Sequence, residues 1–121
     1  MSIQRYESPL GLPFSRMIRA GGFVFFSGQI PMDRDGQVVR GDIKAQTAAV
    51  MERLADSLAE VGLGFDDVIK ATVWLSDLAL FADFNDAYRS YFKSGLPVRS
   101  TVQAKLAMGV DLEIEIQALD R

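Results

Sequence analysis

Two stretches decide the fold: Pro97-Val98-Arg99-Ser100-Thr101-Val102-Gln103-Ala104-Lys105-Leu106, and Val110-Asp111-Leu112-Glu113-Ile114-Glu115-Ile116-Gln117-Ala118. Both alternate with the period of a β-strand, whose successive side chains point to opposite faces. In the second, Val110, Leu112, Ile114, Ile116 and Ala118 share one face, and Asp111, Glu113, Glu115 and Gln117 the other. In the first, Val98, Ser100, Val102, Ala104 and Leu106 oppose Arg99, Thr101, Gln103 and Lys105. With Ala107-Met108-Gly109 as the turn, the pattern predicts a β-hairpin with an apolar and a polar face. A simple register sets Gln103 opposite Glu113, Thr101 opposite Glu115, and Lys105 across from Asp111 as an ion pair. The polar face is then either solvated or the lining of a subunit interface.

Upstream, Asp77 caps a predicted helix from Leu78 to about Lys93, ended by Gly95, with Phe81, Phe84, Tyr88, Tyr91 and Phe92 on its apolar side. Asn85 lies at the edge of that aromatic stripe, where a plain surface amide is the simplest reading. Val68 to Ser76, rich in β-branched residues, predicts a strand. Asp42 caps a longer helix, from Ile43 to about Val61 with Gly62 at its end, whose stripe of Ile43, Thr47, Val50, Met51, Leu54, Leu58 and Val61 faces a core. Gly21-Gly22, between Ser15–Ala20 and Phe23–Ser27, is a two-residue hairpin signal, because a type I′ turn needs positive φ at both central positions. Phe23-Val24-Phe25-Phe26 is apolar on both faces and reads as a central strand. Residues 1–14, with Pro9, Gly11 and Pro13, read as an irregular lead-in. The order ββαβαββ predicts an α+β fold, with two helices on one face of a mixed sheet, in a single domain over residues 1–121.

The chain has no Cys and no His, which excludes thiol catalysis, disulfides, His- or Cys-built zinc sites and Ser-His-Asp triads. Chemistry is left to carboxylates, Lys, Arg, Tyr, hydroxyls, backbone and water. No P-loop, dinucleotide fingerprint or EF-hand spacing occurs. A net charge of −3 without a basic stripe argues against nucleic acid. No apolar run approaches a membrane span, and the N-terminus shows no signal-peptide core, so the expected location is the cytoplasm. Arg99, fixed by the preceding Pro97, suits bidentate grip of a carboxylate, against the simpler reading of an exposed or structurally paired Arg. Glu113 is a candidate general acid–base, with burial and Glu115 raising its pKa, against the simpler reading of a solvated strand carboxylate. Ser27, Thr101 and Lys105 show no activating base at a telling spacing, which places covalent catalysis low.

Pro97-Val98-Arg99-Ser100-Thr101-Val102 followed by Leu112-Glu113-Ile114-Glu115 resembles the C-terminal signature of the RidA family, also called YjgF or L-PSP endoribonuclease-like. Ser27-Gly28-Gln29-Ile30-Pro31, Ala71-Thr72-Val73-Trp74-Leu75 and Phe81-Ala82-Asp83-Phe84-Asn85 extend the resemblance over almost the whole chain. It implies a chorismate-mutase-like fold assembled as a homotrimer around a central barrel, with clefts between subunits. It also implies cofactor-independent hydrolysis of reactive enamines and imines, such as 2-iminopropanoate and 2-iminobutanoate, to 2-keto acids and ammonia. Carried over by position, Arg99 binds the substrate carboxylate and Glu113 attends the attacking water. Gly28, after Ser27 in the substrate-binding segment, presents backbone to the substrate, and Asn85 lies near the cleft. Phe14 stands where many members have Tyr, and Thr101 where many have Cys. The lost hydroxyl at Phe14 leaves open a shift toward larger or more apolar imino acids, or weaker catalysis. A non-catalytic trimer binding small carboxylates such as 2-keto acids is the alternative function, and an endoribonuclease a lesser one.

Overall fold

The computed structural model describes residues 2–121. Strands β1 (Gln4–Glu7), β2 (Ser15–Ala20) and β3 (Phe23–Gln29) precede helix α1 (Ile43–Glu60); β4 (Val68–Leu75), helix α2 (Phe81–Arg89), β5 (Val98–Gln103) and β6 (Leu112–Leu119) follow. The strands form one six-stranded sheet in the order β1-β2-β3-β6-β4-β5, parallel only between β4 and β5. Both helices pack on one face, over Met17, Val24, Phe26, Val73, Leu75, Leu112, Ile114 and Ile116. This is the expected α+β arrangement.

Several local expectations hold for their stated reasons. Gly21 and Gly22 have φ of +61° and +85°, and they turn β2 into β3 with Ala20 opposite Phe23. Phe23–Gln29 lies inside the sheet, between β2 and β6. The Asp42 side chain accepts from the Ala45 N–H at 2.9 Å, satisfying one of the free donors at the start of α1.

Three expectations are corrected. First, Gln4–Glu7 is a strand rather than part of an irregular lead-in. It pairs with β2 through its backbone while its mostly exposed, polar side chains leave no alternating pattern to read. Second, α2 stops at Arg89 rather than near Lys93. Tight turns from Tyr91 to Tyr88 and from Phe92 to Arg89 carry the last two aromatic rings against Phe65, at centroid distances of 5.8 and 5.4 Å. Asp77 caps a preceding 3₁₀ turn, Leu78–Leu80, through the Ala79 N–H.

The third correction matters most for the site. The strands around Arg99 and Glu113 do not form a hairpin, because β4 lies between them and pairs with both. The connection passes over the end of β4, where the Ala104 N–H donates to the Leu75 carbonyl and the Ser76 N–H to that of Asp111, each at 3.0 Å. Alternation reports which face a residue takes, not which strand is its neighbour. The register therefore changes: Glu113 is opposite Trp74, Glu115 opposite Thr72, Thr101 opposite Val73 and Gln103 opposite Leu75. Asp111 forms no ion pair with Lys105. Its carboxylate accepts from Gln46 Nε2 and Ser76 Oγ, tying the entry of β6 to α1 and to the end of β4.

Candidate functional site

The sheet sorts the candidate residues onto two faces. In β6, Leu112, Ile114, Ile116 and Ala118 are buried under the helices, and Glu113, Glu115 and Gln117 line the open face. In β5 the order is reversed. Arg99 and Thr101 share the helix-side face with Ala71 and Val73, while Val98 and Val102 point to the open face at 68% and 44% exposure. Arg99 and Glu113 consequently occupy opposite faces of one sheet, and the expectation that they share a polar face is corrected.

On the open face, the Glu113 carboxylate packs over Gly28. A Cβ at residue 28 would run into it, with the Glu113 Cδ only 3.0 Å away. The approach exists because the register between β3 and β6 shifts between Phe26 and Gln29, bulging Ser27-Gly28 out of the ladder. Ser27 Oγ donates to the Ser15 carbonyl at 2.6 Å, pinning the bulge to the start of β2, and exposed Phe14 immediately precedes that anchor. Glu113 is half-buried, and among the described residues no group donates a hydrogen bond to its carboxylate. Desolvation, then the charge of Glu115, raises its pKa above the ordinary 4.5. A carboxylate held this way is a stronger base than an exposed one, suited to taking and returning a proton.

On the helix side, Arg99 donates through Nη2 to Asn85 Oδ1 at 2.8 Å. Its guanidinium carbon lies 5.5, 5.3 and 5.0 Å from the ring centroids of Phe81, Phe84 and Tyr88. The ion pairs among the described residues join Arg16 to Glu60, Arg19 to Asp120, Arg34 to Asp56 and Arg121 to Asp67, so Arg99 has no carboxylate partner there. A cavity of about 200 Å³ beside it is lined by Asn85, Tyr88, Arg89, Leu96 and Pro97. Thr101 follows two residues along the same face, half-buried. A larger open groove of about 640 Å³, along Ser76, Gln103, Lys105 and Asp111, reaches neither Arg99 nor Glu113. Among the described residues, no group of three or more acidic side chains is placed to hold a metal ion.

The structure thus gathers two half-sites. Glu113 and Gly28 meet on the open face, near the Ser27 anchor, and Arg99 meets Asn85 at the sheet edge. The aromatic cradle beneath Arg99 went unread in the sequence, where Phe81, Phe84 and Tyr88 look like an ordinary core stripe. The available signal was their spacing around Asn85 on a helix just before Pro97-Val98-Arg99.

These features define an α+β protein with an arginine at a parallel sheet edge that has no carboxylate partner among the described residues, and a half-buried glutamate packed over a glycine on the uncovered face. The Endoribonuclease L-PSP family matches residues 8–120. A RutC family protein of Pyrococcus horikoshii is 43% identical over 112 residues, covering 92% of this chain and 87% of that protein. One from Pyrococcus abyssi is 40% identical, covering 96% and 91%. The crystal structure of yeast Mmf1 superposes with a TM-score of 0.93 at 32% identity, covering 99% of this chain and all of that one. That of the Escherichia coli YjgF gene product gives 0.85 at 31% identity, over 90% and 89% of the two chains. The chain belongs to the L-PSP endoribonuclease-like family, also called the RutC, YjgF or RidA family.

Proposed function

We propose that this protein is a cofactor-independent deaminase of small 2-imino acids and their enamine tautomers, 2-iminopropanoate and 2-iminobutanoate among them. Its site forms between copies of the chain, most simply in a homotrimer. The observation that supports it best is Arg99: a guanidinium held by aromatic rings and one amide, with no carboxylate partner among the described residues. Such a group offers its remaining N–H donors to a ligand carboxylate. Glu113, on the opposite face of the same sheet, reaches that ligand only if a second copy supplies it.

The chemistry follows from these groups. Arg99 of one copy anchors the substrate carboxylate and orients the protonated imine. Glu113 of the next copy accepts a proton from water as the water oxygen bonds to C2, giving a carbinolamine. Glu113 returns that proton to nitrogen. As the C–N bond breaks and the C2 carbonyl forms, the freed Glu113 carboxylate takes the hydroxyl proton and passes it to the departing ammonia. The ammonia leaves as ammonium, the extra proton being the one the imine brought. One imino acid and one water become one 2-keto acid and one ammonia. The imine carbon is already electrophilic, so orientation and a single proton shuttle supply the catalysis.

Imine generated by an amino acid oxidase or a dehydratase tests this reading. The wild type should release ammonia faster than spontaneous hydrolysis, and Arg99→Met should lower kcat/KM by about 10- to 150-fold. An unchanged rate in that variant would sink the carboxylate clamp. The unpaired Arg99 equally suits a protein that only binds 2-keto acids. Glu113→Gln separates the two, with an expected loss of about 10²- to 10⁴-fold in kcat while ligand affinity is largely kept. RNA cleavage, suggested by the family's name, sits poorly with a net charge of −3.

A further inference from the structure

Arg99 sits on an edge strand with one strand neighbour, β4. A long side chain there has many rotamers and would spend little time in any one geometry. The usual device for fixing an arginine is a carboxylate, but it would neutralise the charge and compete with an anionic ligand. Here Phe81, Phe84 and Tyr88 present themselves to the guanidinium within 5.5 Å. Ring quadrupoles attract a cation without supplying a negative group that a ligand must displace. Contact with ring faces also leaves in-plane N–H donors free, one of which goes to Asn85. Phe84 and Tyr88 belong to the buried core, whereas Phe81 is 42% exposed and lies outside it. Tyr88 carries a buried hydroxyl with no hydrogen-bond partner among the described residues, so its ring, not a polar contact, is what it contributes.

We infer that Phe81, Phe84 and Tyr88 are positioning residues for Arg99, forming an aromatic cradle that sets the cation's affinity for a small 2-oxo or 2-imino carboxylate. This rests on Arg99 being the carboxylate clamp. The cradle acts through Arg99 and touches no reacting atom.

The test uses the full-length protein with 2-oxobutanoate as the probe, binding measured by calorimetry, and thermal unfolding measured alongside. Phe81→Leu should weaken 2-oxobutanoate about two- to fivefold, the loss of one partly exposed cation–π contact, at nearly unchanged unfolding temperature. Phe81→Tyr, which keeps the ring, should restore affinity. In an Arg99→Met background, Phe81→Leu should have no further effect, because the ring acts only on the guanidinium. An equal loss in both backgrounds would overturn the cradle, as would unchanged affinity in Phe81→Leu. If Arg99→Met itself leaves 2-oxobutanoate binding intact, the clamp reading falls, and that failure is distinct from one confined to Phe81.

Discussion

Strands β5 and β6 flank the same strand, β4, and carry the same alternating pattern, yet they turn opposite kinds of residue toward the helices. β6 buries Leu112, Ile114 and Ile116 at 4% exposure or less and leaves its glutamates on the open face. β5 sends Arg99 and Thr101 inward and leaves Val98 and Val102 outside. The difference lies in what stands opposite each strand. β6 is central and meets the apolar stripe of α1, where an unpaired charge would be costly. β5 is the edge, and α2 meets it with ring faces that accept a cation. A periodic strand therefore fixes two faces, and its partner decides which of them is the inside.

The comparison breaks most visibly in stability. Ile114→Ala on β6 should cost about 2–5 kcal/mol in a denaturant titration, as a cavity in a packed core does. Thr101→Val on the matching face of β5 should stay within about 1 kcal/mol, since the edge tolerates apolar or polar side chains. Equal costs would mean that both inner faces are ordinary core.

Next in size is the open face. Gly28→Ala drives a methyl into the Glu113 carboxylate, which must swing aside. On the proposed deaminase reading, turnover should fall by up to about 100-fold, the scale for a displacement near 1 Å, while the fold persists because the displaced group is a flexible side-chain end. Turnover at the wild-type level would mean that Glu113 works from another position.

A smaller effect sharpens the inner side of β5. Tyr88→Phe removes a buried hydroxyl that has no partner among the described residues and whose pKa burial pushes up to about 12, with the charge of Arg99 opposing. The variant should be more stable by about 1 kcal/mol, read from its denaturation midpoint. Destabilisation would reveal a hidden partner for that oxygen.

The smallest is a shift in pH dependence. Glu113 holds its proton more tightly in the folded chain than in the unfolded one. Its contribution to stability is therefore complete below the ordinary 4.5 and lost as pH rises through the raised value. Glu113→Gln should exceed the wild type in stability at neutral pH, with the gap closing on acidification toward 4.5. Glu115→Gln removes the second cause of the shift and should move the acid limb of the turnover profile to lower pH. A limb that stays in place would leave desolvation as the whole cause.

Much of the fold is legible in local chemistry. Gly21-Gly22 demands its turn, Asp42 caps α1, and the apolar spacing of Ile43 to Leu58 can only be a helix face. The site is legible as residue types but not as geometry. Pro97-Val98-Arg99 and Leu112-Glu113 mark where the chemistry lies, but nothing local says that β4 inserts between them. Strand order is set by long-range pairing, and the inversion of β5 depends on Phe81, Phe84 and Tyr88, contributed by a different element. Gln4–Glu7 was hidden for the opposite reason, because its pairing is made by backbone and its side chains carry no period.

The central claim is that Arg99 and Glu113, divided by one sheet, serve a common substrate only across two copies of the chain. Mixing Arg99→Met with Glu113→Gln protein, after joint unfolding and refolding, tests it directly. On the proposed deaminase reading, each variant alone should work at about one tenth of the wild-type rate or less. An equal mixture should recover about one quarter of the wild-type rate, the statistical share of head-to-tail interfaces in which an intact Arg99 meets an intact Glu113. A mixture no more active than its components would contradict the account.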